Sequence, residues 1–590
     1  MQSIRSIIPI LISVFFSFCN TPSINNPNNS EITSNKIPDK RPNIILIMAD
    51  DMGYSDLGWY GSEIKTPNLD KLASNGLSFS QFYNTARCCP TRASLMTGLY
   101  PAQTGVGFMI NNENMPGYRG DLNNQCVTIA EVLKPSGYNT YMSGKWHVTR
   151  QLQDIDSLKY NWPRQRGFDK FYGTVSGAAS YWDPYTLTRD NTYITPENDP
   201  EYQPEQYFYT DAISDNAVNY VQQHYAEGKN NPFFMYVAFT APHWPLQAPE
   251  DEIEQYKGKY DQGFEPIRKE RFNKLKEKGL INKNLVLSDP VANWDTVQNK
   301  SWHSRNMEVY AAMITRMDKG IGKIVQALEQ AGELENTLIF FLQDNGGCAE
   351  EVYWLRHENA LDTFSTEPLY LPMDKNEIQT KTAPVKNRQG FPVVVQSKKV
   401  LAGSDQTYHS YGATWANVSN TPFREFKHWV HEGGVSTPLI IHWPAAVEGK
   451  GLLIHQPSHL IDIMATCVEV ARATYPTNFK GNQIVAMEGS SLVPVLLNNE
   501  KINREAIYFE HEGNRAIRKG KWKLVSKAFA NAGHFKKMDS ISLDQWELYD
   551  MENDRTETTD LAKENPQLVK DLSANWYKWA ERTQAIPKPG

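Results

Sequence analysis

The sequence predicts an α/β fold: a central sheet, parallel or mixed, flanked by helices, followed by a smaller C-terminal α+β lobe carrying an antiparallel sheet. Three observations carry this reading: apolar runs without alternation that end in acids or other polar residues, helix-period segments between them, and a change of texture near residue 504. The first run is Asn43-Ile44-Ile45-Leu46-Ile47-Met48-Ala49, followed by Asp50 and Asp51. A strand buried on both faces reads this way, because neither face needs polar residues. A second such run, Thr337–Gln343, leads into Asp344-Asn345-Gly346-Gly347, and a third, residues 233–239, leads into Thr240-Ala241-Pro242-His243-Trp244-Pro245. Segments 211–225, 308–330 and 457–473 repeat apolar residues at helical spacing. Strands alternating with helices build a sheet with crossovers, whose sites lie beyond the carboxyl ends of the strands. These elements assign 43–503 to a catalytic domain. Beyond it, 504–590 reads as short strands at 506–510, 514–519, 522–525 and 546–549, closed by a helix at 565–582. Two insertions, 249–300 and 349–419, read as long and irregular and are expected to wall the mouth of a site.

A chain of 590 residues can bury a large core and still carry a lesser lobe. With 40% hydrophobic and 22% charged residues its composition is globular. The net charge of −7 argues against a general nucleic-acid binder. At the start, Arg5 precedes an apolar run, 7–18, too short to span a bilayer comfortably; residues 1–19 are read as a signal peptide, so the protein is expected to be exported to the periplasm or cell surface. Cys19 closes the run, and 20–42, rich in Asn, Pro and Ser, reads as a flexible tether. This resembles a bacterial lipoprotein leader with Cys19 lipidated as a membrane anchor, although Phe16-Ser17-Phe18 departs from the small-residue pattern and leaves ordinary cleavage open. The six cysteines (Cys19, Cys88, Cys89, Cys126, Cys348 and Cys467) lack framework spacing, so stability is expected to rest on the core.

The most informative segment is Cys88-Cys89-Pro90-Thr91-Arg92-Ala93-Ser94-Leu95-Met96-Thr97-Gly98. Pro90 suits the first position of a helix, which sets Cys88 at or just before a helix N-terminus, where unpaired N–H groups favour an anion. Arg92, one turn on, adds a permanent cation. Two buried cysteines before an ordinary helix would look similar in isolation. The segment resembles the sulfatase signature, Cys-x-Pro-Ser/Thr-Arg followed by Leu-x-Thr-Gly. In that family a sulfatase-maturing or formylglycine-generating enzyme oxidises the first cysteine to formylglycine. One hydroxyl of its hydrate attacks sulfur, and deprotonation of the other expels the sulfate. The resemblance implies this role for Cys88, and an alkaline-phosphatase-like fold for the chain.

Asp50, Asp51, Asp344 and Asn345 are hard oxygen donors at two strand ends and suit calcium or magnesium better than zinc. Each pair alone could equally cap a helix or form a turn. The resemblance implies one calcium on these four residues, beside the group derived from Cys88. Lys145 and His147, in Gly144-Lys145-Trp146-His147, are two apart, and on an extended strand both would face one anion. The resemblance makes Lys145 a sulfate clamp and His147 the base acting on the sulfated diol. His243 and Lys427, the latter in Thr421-Pro422-Phe423-Arg424-Glu425-Phe426-Lys427, also lie in family-like segments, where they face the bridging oxygen of the ester. Any one of these four alone would pass for a surface lysine or a structural histidine. His428, His431, His442, His455 and His459 are read as structural. Trp182 with Tyr181, Tyr185, Tyr193, Tyr202 and Tyr207 could stack on sugars, but core packing is the expected role of most. Lys375, Lys381, Lys386, Arg388, Lys398 and Lys399 give the second insertion a basic tone that would suit a polyanion or simply a solvated loop.

The resemblance runs from about 41 to 561, its departures being Cys89 at the variable signature position and Gln343 before Asp344. It implies hydrolysis of sulfate monoesters, on sulfated carbohydrate or aryl sulfates. Two alternatives compete: a phosphate or phosphonate ester hydrolase of the same superfamily, and an inactive glycan-binding lipoprotein with a relic site. One calcium-type site without a second His/Asp cluster favours sulfate over phosphate, and the intact set of candidate residues argues against a relic.

Overall fold

The structure, a computed structural model, describes residues 36–150, 156–447, 451–531, 534–537 and 545–587. The leader, Cys19 and most of the expected tether lie outside them. The central sheet contains β1 (Asn43–Ala49), β2 (Leu77–Tyr83), β3 (Asn139–Gly144), β4 (Lys170–Thr174), β5 (Leu187–Arg189), β6 (Thr192–Tyr193), β7 (Phe233–Ala238), β8 (Thr337–Gln343), β9 (Ser436–His442), β10 (Leu452–Ile454) and β11 (Ser458–His459). Their order is β10-β2-β9-β8-β1-β7-β3-β4-β5-β6, with β11 also beside β2. The middle, β8-β1-β7-β3-β4, is parallel, and β9 runs antiparallel between β8 and β2. The sheet is therefore mixed and mostly parallel.

β1 shows why its sequence lacks alternation. Ile45, Ile47 and Ala49 enter one core with the helices α2 (Tyr209–Ala226) and α4 (Lys300–Gln330), introduced here with α1 (Cys88–Thr97) and α3 (Phe264–Glu277). Ile44, Leu46 and Met48 enter the opposite core with α1 and α6 (Asp462–Val470), which follows α5 (Gly412–Ser419). Both faces are covered, so each residue of the strand is buried. Asp50, Asp51, Asp344 and, in the loop after β7, His243 lie beyond the carboxyl ends of the central strands β1, β8 and β7.

The first insertion departs from its irregular reading. α3 buries Phe264, Ile267, Arg268, Arg271, Phe272 and Leu275, packs on α5, and sends Arg271 to Asp56 at 2.6 Å and Glu63 at 2.7 Å. Its mean hydropathy is low because two of the inward side chains are arginines, which masks the helical stripe in the sequence. α4 also starts at Lys300, earlier than the apolar period alone indicates, and α6 is shorter than the segment 457–473, whose first residues pair as β11.

The C-terminal sheet is antiparallel, in the order β12 (Ile507–His511), β13 (Asn514–Lys519), β14 (Trp522–Ser526), β15 (Glu547–Asp550). Ile517, Leu524 and Leu548 pack with Trp576 and Trp579 of α7 (Pro566–Arg582), while Ile507, Phe509, Val525 and Tyr549 pack against Tyr83 and Val430. The seam also holds buried charge: Glu432 accepts from Lys523 at 3.0 Å, from Arg555 at 2.9 Å and from the Tyr83 hydroxyl at 3.1 Å, and Lys523 also meets Glu557 at 2.8 Å. All five cysteines among the described residues are free and buried.

Candidate active site

Cys88 opens α1 with Arg87 as its N-cap, so Pro90 is the third helical residue and not the first. Cys88 still sits where N–H groups lack helical acceptors; the first helical bond is Thr91 N–H to the Arg87 carbonyl. One turn later Arg92, fully buried, donates to Asp344 Oδ2 at 2.8 Å and to the Lys145 carbonyl at 3.1 Å, and lies 3.5 Å from Asp50.

Lys145 and His147 converge on the same place by a different route from the one expected. β3 stops at Gly144, and His147 has φ of 56°, so strand alternation does not aim them. The N–H groups of Trp146 and His147 are tied to the carbonyls of Thr174 and Val175 instead. Lys145 Nζ reaches Asp50 Oδ2 at 2.6 Å. The His147 ring lies with the Cys88 and Cys89 sulfurs, their ligand atoms within 4.8 Å of one another. Gly177 makes room for that ring: a Cβ there would stand 2.7 Å from His147 Nε2.

On the other side, Lys427 Nζ contacts Asp51 Oδ1 at 2.8 Å, and His243 Nε2 lies 3.3 Å from Asp51 Oδ2 and 3.4 Å from Lys427 Nζ. Asn345 Nδ2 donates to Asp51 Oδ1 at 2.7 Å, and Asp51 N–H donates to Asp344 Oδ1 at 3.1 Å. All the sequence-predicted residues, Cys88, Arg92, Lys145, His147, His243, Lys427, Asp50, Asp51, Asp344 and Asn345, thus meet in one buried cluster.

Charge is distributed unevenly there. Burial opposes ionisation of Asp50, but Lys145, His243 and Arg92 override it and hold the carboxyl well below its ordinary value. Asp344 is pushed well above its ordinary value by burial and by neighbouring Asp50. Burial lowers His147 to about 4, so it is neutral at neutral pH and able to accept a proton. Burial also lowers His243, against the pull of Asp51. Lys145 and Lys427 remain above the ordinary lysine value because Asp50 and Asp51 outweigh the cost of their burial. Cys88 is held well below an ordinary thiol, first by a hydrogen bond from Cys89 and then, against burial, by Lys145 and His147.

The network is unfinished. Asp50 Oδ1 and Asn345 Oδ1 are buried acceptors with no hydrogen-bond partner. With Asp51 and Asp344 they form an all-oxygen donor set that fits a hard divalent cation, which would relieve the crowding of carboxylates. Sequence reasoning missed the residues around this centre. Glu350, buried in the second insertion, accepts from Trp244 Nε1 at 3.1 Å, meets His428 Nε2 at 3.0 Å and Arg87 at 3.4 Å, and approaches Lys427 at 3.8 Å. His428, read as structural, is buried and also contacts Glu512, in the tip between β12 and β13, at 2.7 Å. No period or motif marks Glu350 or Glu512; only Arg87, flanking the signature, stood where a signal could be sought. The other histidines keep structural partners, His431 on Glu547 and His455 on Ser80.

A helix N-terminus with three buried cations, a hard-cation donor set and two histidines, at the strand ends of this sheet, defines an esterase for anionic monoesters. The family model "Sulfatase" matches residues 42–473, and "N-sulphoglucosamine sulphohydrolase, C-terminal" matches 424–581. The chain belongs to the sulfatase family and is a sulfuric ester hydrolase. It is 30% identical to an uncharacterized sulfatase of Schizosaccharomyces pombe, over 93% of this chain and 95% of that one, and 30% identical to an arylsulfatase of Klebsiella aerogenes, over 77% and 91%. Among solved structures it resembles Ps i-CgsB in complex with k-i-k-neocarrahexaose, with a TM-score of 0.61 and 26% identity over 93% of this chain and 94% of that one. It also shares the fold of BT4656 in complex with its substrate D-glucosamine-2-N,6-O-disulfate, with a TM-score of 0.57 and 21% identity over 93% and 99%.

Proposed function

We propose that the protein is an exported sulfatase acting on sulfated carbohydrate, with formylglycine at position 88 and one calcium held by Asp50, Asp51, Asp344 and Asn345. The observation that supports the mechanism best is the unfinished buried network: orphaned acceptors Asp50 Oδ1 and Asn345 Oδ1 beside the start of α1. Bound there, the cation would polarise a sulfate oxygen and the attacking hydroxyl. The aldehyde hydrate derived from Cys88 would supply the nucleophile. Arg92, Lys145 and Lys427 orient the sulfate group and balance its charge. His147, neutral and against Cys88, removes a proton at that side chain. His243 Nε2, beside the Lys427 ammonium, faces the leaving oxygen and relays a proton from that ammonium to it. The carbohydrate part of the reading draws on the complex of Ps i-CgsB with k-i-k-neocarrahexaose and on exposed Trp354, whose ring meets the Trp244 ring beside His243. Export, with Cys19 as the anchoring residue, draws on the leader-like residues 1–19 and is a proposal of the sequence alone.

A panel of sulfated oligosaccharides and aryl sulfates, with chromatographic detection of product, tests the substrate class. We expect release of sulfate from at least one oligosaccharide as well as from nitrophenyl sulfate. Turnover of aryl sulfates alone would reject the carbohydrate reading, and full activity with an unmodified thiol at position 88, read by peptide mass spectrometry, would reject the nucleophile.

A further inference from the structure

The second insertion exposes what the rest of the molecule hides. Among the described residues, six of the ten large exposed hydrophobics, Tyr353, Trp354, Phe364, Leu369, Tyr370 and Leu371, fall between 353 and 371. Trp354 is the one tied to the catalytic cluster. Its ring is 66% exposed and meets Trp244 edge-on, at 6.2 Å between centroids and 85°. Trp244 follows His243 and lies on its ring at 4.3 Å. Trp244 is itself fixed, by its bond to Glu350 and by packing on Cys348, Val352, Val393, Val395 and Tyr408. A rigid base thus carries an exposed indole one ring beyond the imidazole that faces the leaving oxygen. Exposed large hydrophobics clustered in one insertion mark an interaction site, as a lone one would not.

Charge does not explain the placement. Arg388 is taken up by Asp183 and Glu197, Lys386 lies near Glu377, and Arg356 and Lys399 share Asp362. Three of the six basic residues that give the insertion its tone, Lys386, Arg388 and Lys399, are thus paired with acids, and the ring faces are what the surface offers beside the remaining charge.

We propose that Trp354, braced by Trp244, is the stacking platform for a second sugar ring of the substrate, the unit next to the one bearing the scissile sulfate. This rests on the carbohydrate reading above. The platform takes the apolar face of a pyranose and makes the protein prefer oligosaccharides over single sulfated sugars. It is a binding residue: Trp354 acts on affinity, while the chemistry remains at His243 and position 88.

The test compares Trp354→Ala and Trp354→Phe with the wild type on a sulfated monosaccharide, the matching oligosaccharide and nitrophenyl sulfate. Loss of one aromatic stacking contact should raise KM for the oligosaccharide roughly tenfold at nearly constant kcat, with Phe restoring most of it. Nitrophenyl sulfate and the monosaccharide should change by less than about twofold. Quenching of tryptophan emission by the desulfated oligosaccharide should occur in the wild type and weaken in Trp354→Ala. An unchanged oligosaccharide KM in Trp354→Ala, or equal losses on all three substrates, would overturn the platform while leaving the carbohydrate reading intact. Oligosaccharides ignored by the wild type would overturn both. If Trp354→Ala instead converts a dimer to a monomer with no change in KM, the patch belongs to a second copy of the chain and the proposal fails.

Discussion

Two of the buried charge clusters among the described residues, the seam and the strand ends, invite comparison. At the seam with the C-terminal sheet, Glu432 has both carboxylate oxygens bonded, to Lys523, Arg555 and Tyr83. At the strand ends, Asp50 Oδ1, Asn345 Oδ1 and His147 Nδ1 are equally buried but have no partner. A carboxylate bonded on both oxygens ties elements together, whereas unpaired acceptors gathered beside a helix start are what a bound cation would complete. The comparison assigns stability to the first and function to the second.

The largest effect that would break this division concerns Cys88. Cys88→Ala should abolish turnover while moving Tm by no more than ~3 °C, since one small side chain at a helix start is lost. A large stability loss would place Cys88 in the structural class. Next in size, His243→Ala should slow hydrolysis of sugar or alkyl sulfates by roughly 10²–10⁴ and of nitrophenyl sulfate far less, because nitrophenolate leaves without a proton. Equal losses across leaving groups in kcat/KM would reduce His243 to a substrate-holding role. At the seam the pattern reverses. Lys523→Met removes the cation shared by Glu432 and Glu557 and should cost about 3–5 kcal/mol in denaturant unfolding, while the folded fraction keeps its kcat.

The smallest effect sharpens the contrast through pH. Burial lowers His147 from 6.5 to about 4, so the stability gained by burying it neutral is complete above 6.5 and lost as pH falls through about 4. Glu432 behaves as a carboxylate held down: burial opposes its charge, but Lys523 and Arg555 lower it from 4.5 to about 2. Its contribution is complete above about 4.5 and lost as pH falls through about 2. Because His303 and His442 are also lowered to about 4, the test is a difference: the wild type should lose more unfolding free energy than His147→Gln as pH falls from 6.5 to about 4. Parallel pH profiles for the two proteins would contradict the assignment.

Much of the strand-end network was legible in the sequence and almost none of the seam. Asp50, Asp51, Asp344 and Asn345 follow apolar runs that cannot be mistaken for amphipathic elements, so their place at strand ends follows from burial on both faces. Cys88 and Arg92 sit in a short segment whose spacing is fixed by one helical turn. Lys145 and His147 reached the site as expected, but through a loop and a left-handed residue that alternation could not foresee. Glu350, Glu512 and the Glu432–Lys523–Arg555 group join segments far apart in the chain, and single charged residues carry no period from which such pairing can be read. The first insertion was misread for a related reason: Arg268 and Arg271, buried on the inner face of α3, look polar in sequence.

The most direct test of the central claim is the metal content of the purified protein, measured by elemental analysis beside the same preparation of Asp50→Ala and Lys523→Met. The incomplete network predicts one calcium per chain in the wild type and in the folded Lys523→Met protein, and none in Asp50→Ala, which should also be inactive. A fully active wild type without divalent metal, or an Asp50→Ala protein that keeps stoichiometric calcium, would contradict it.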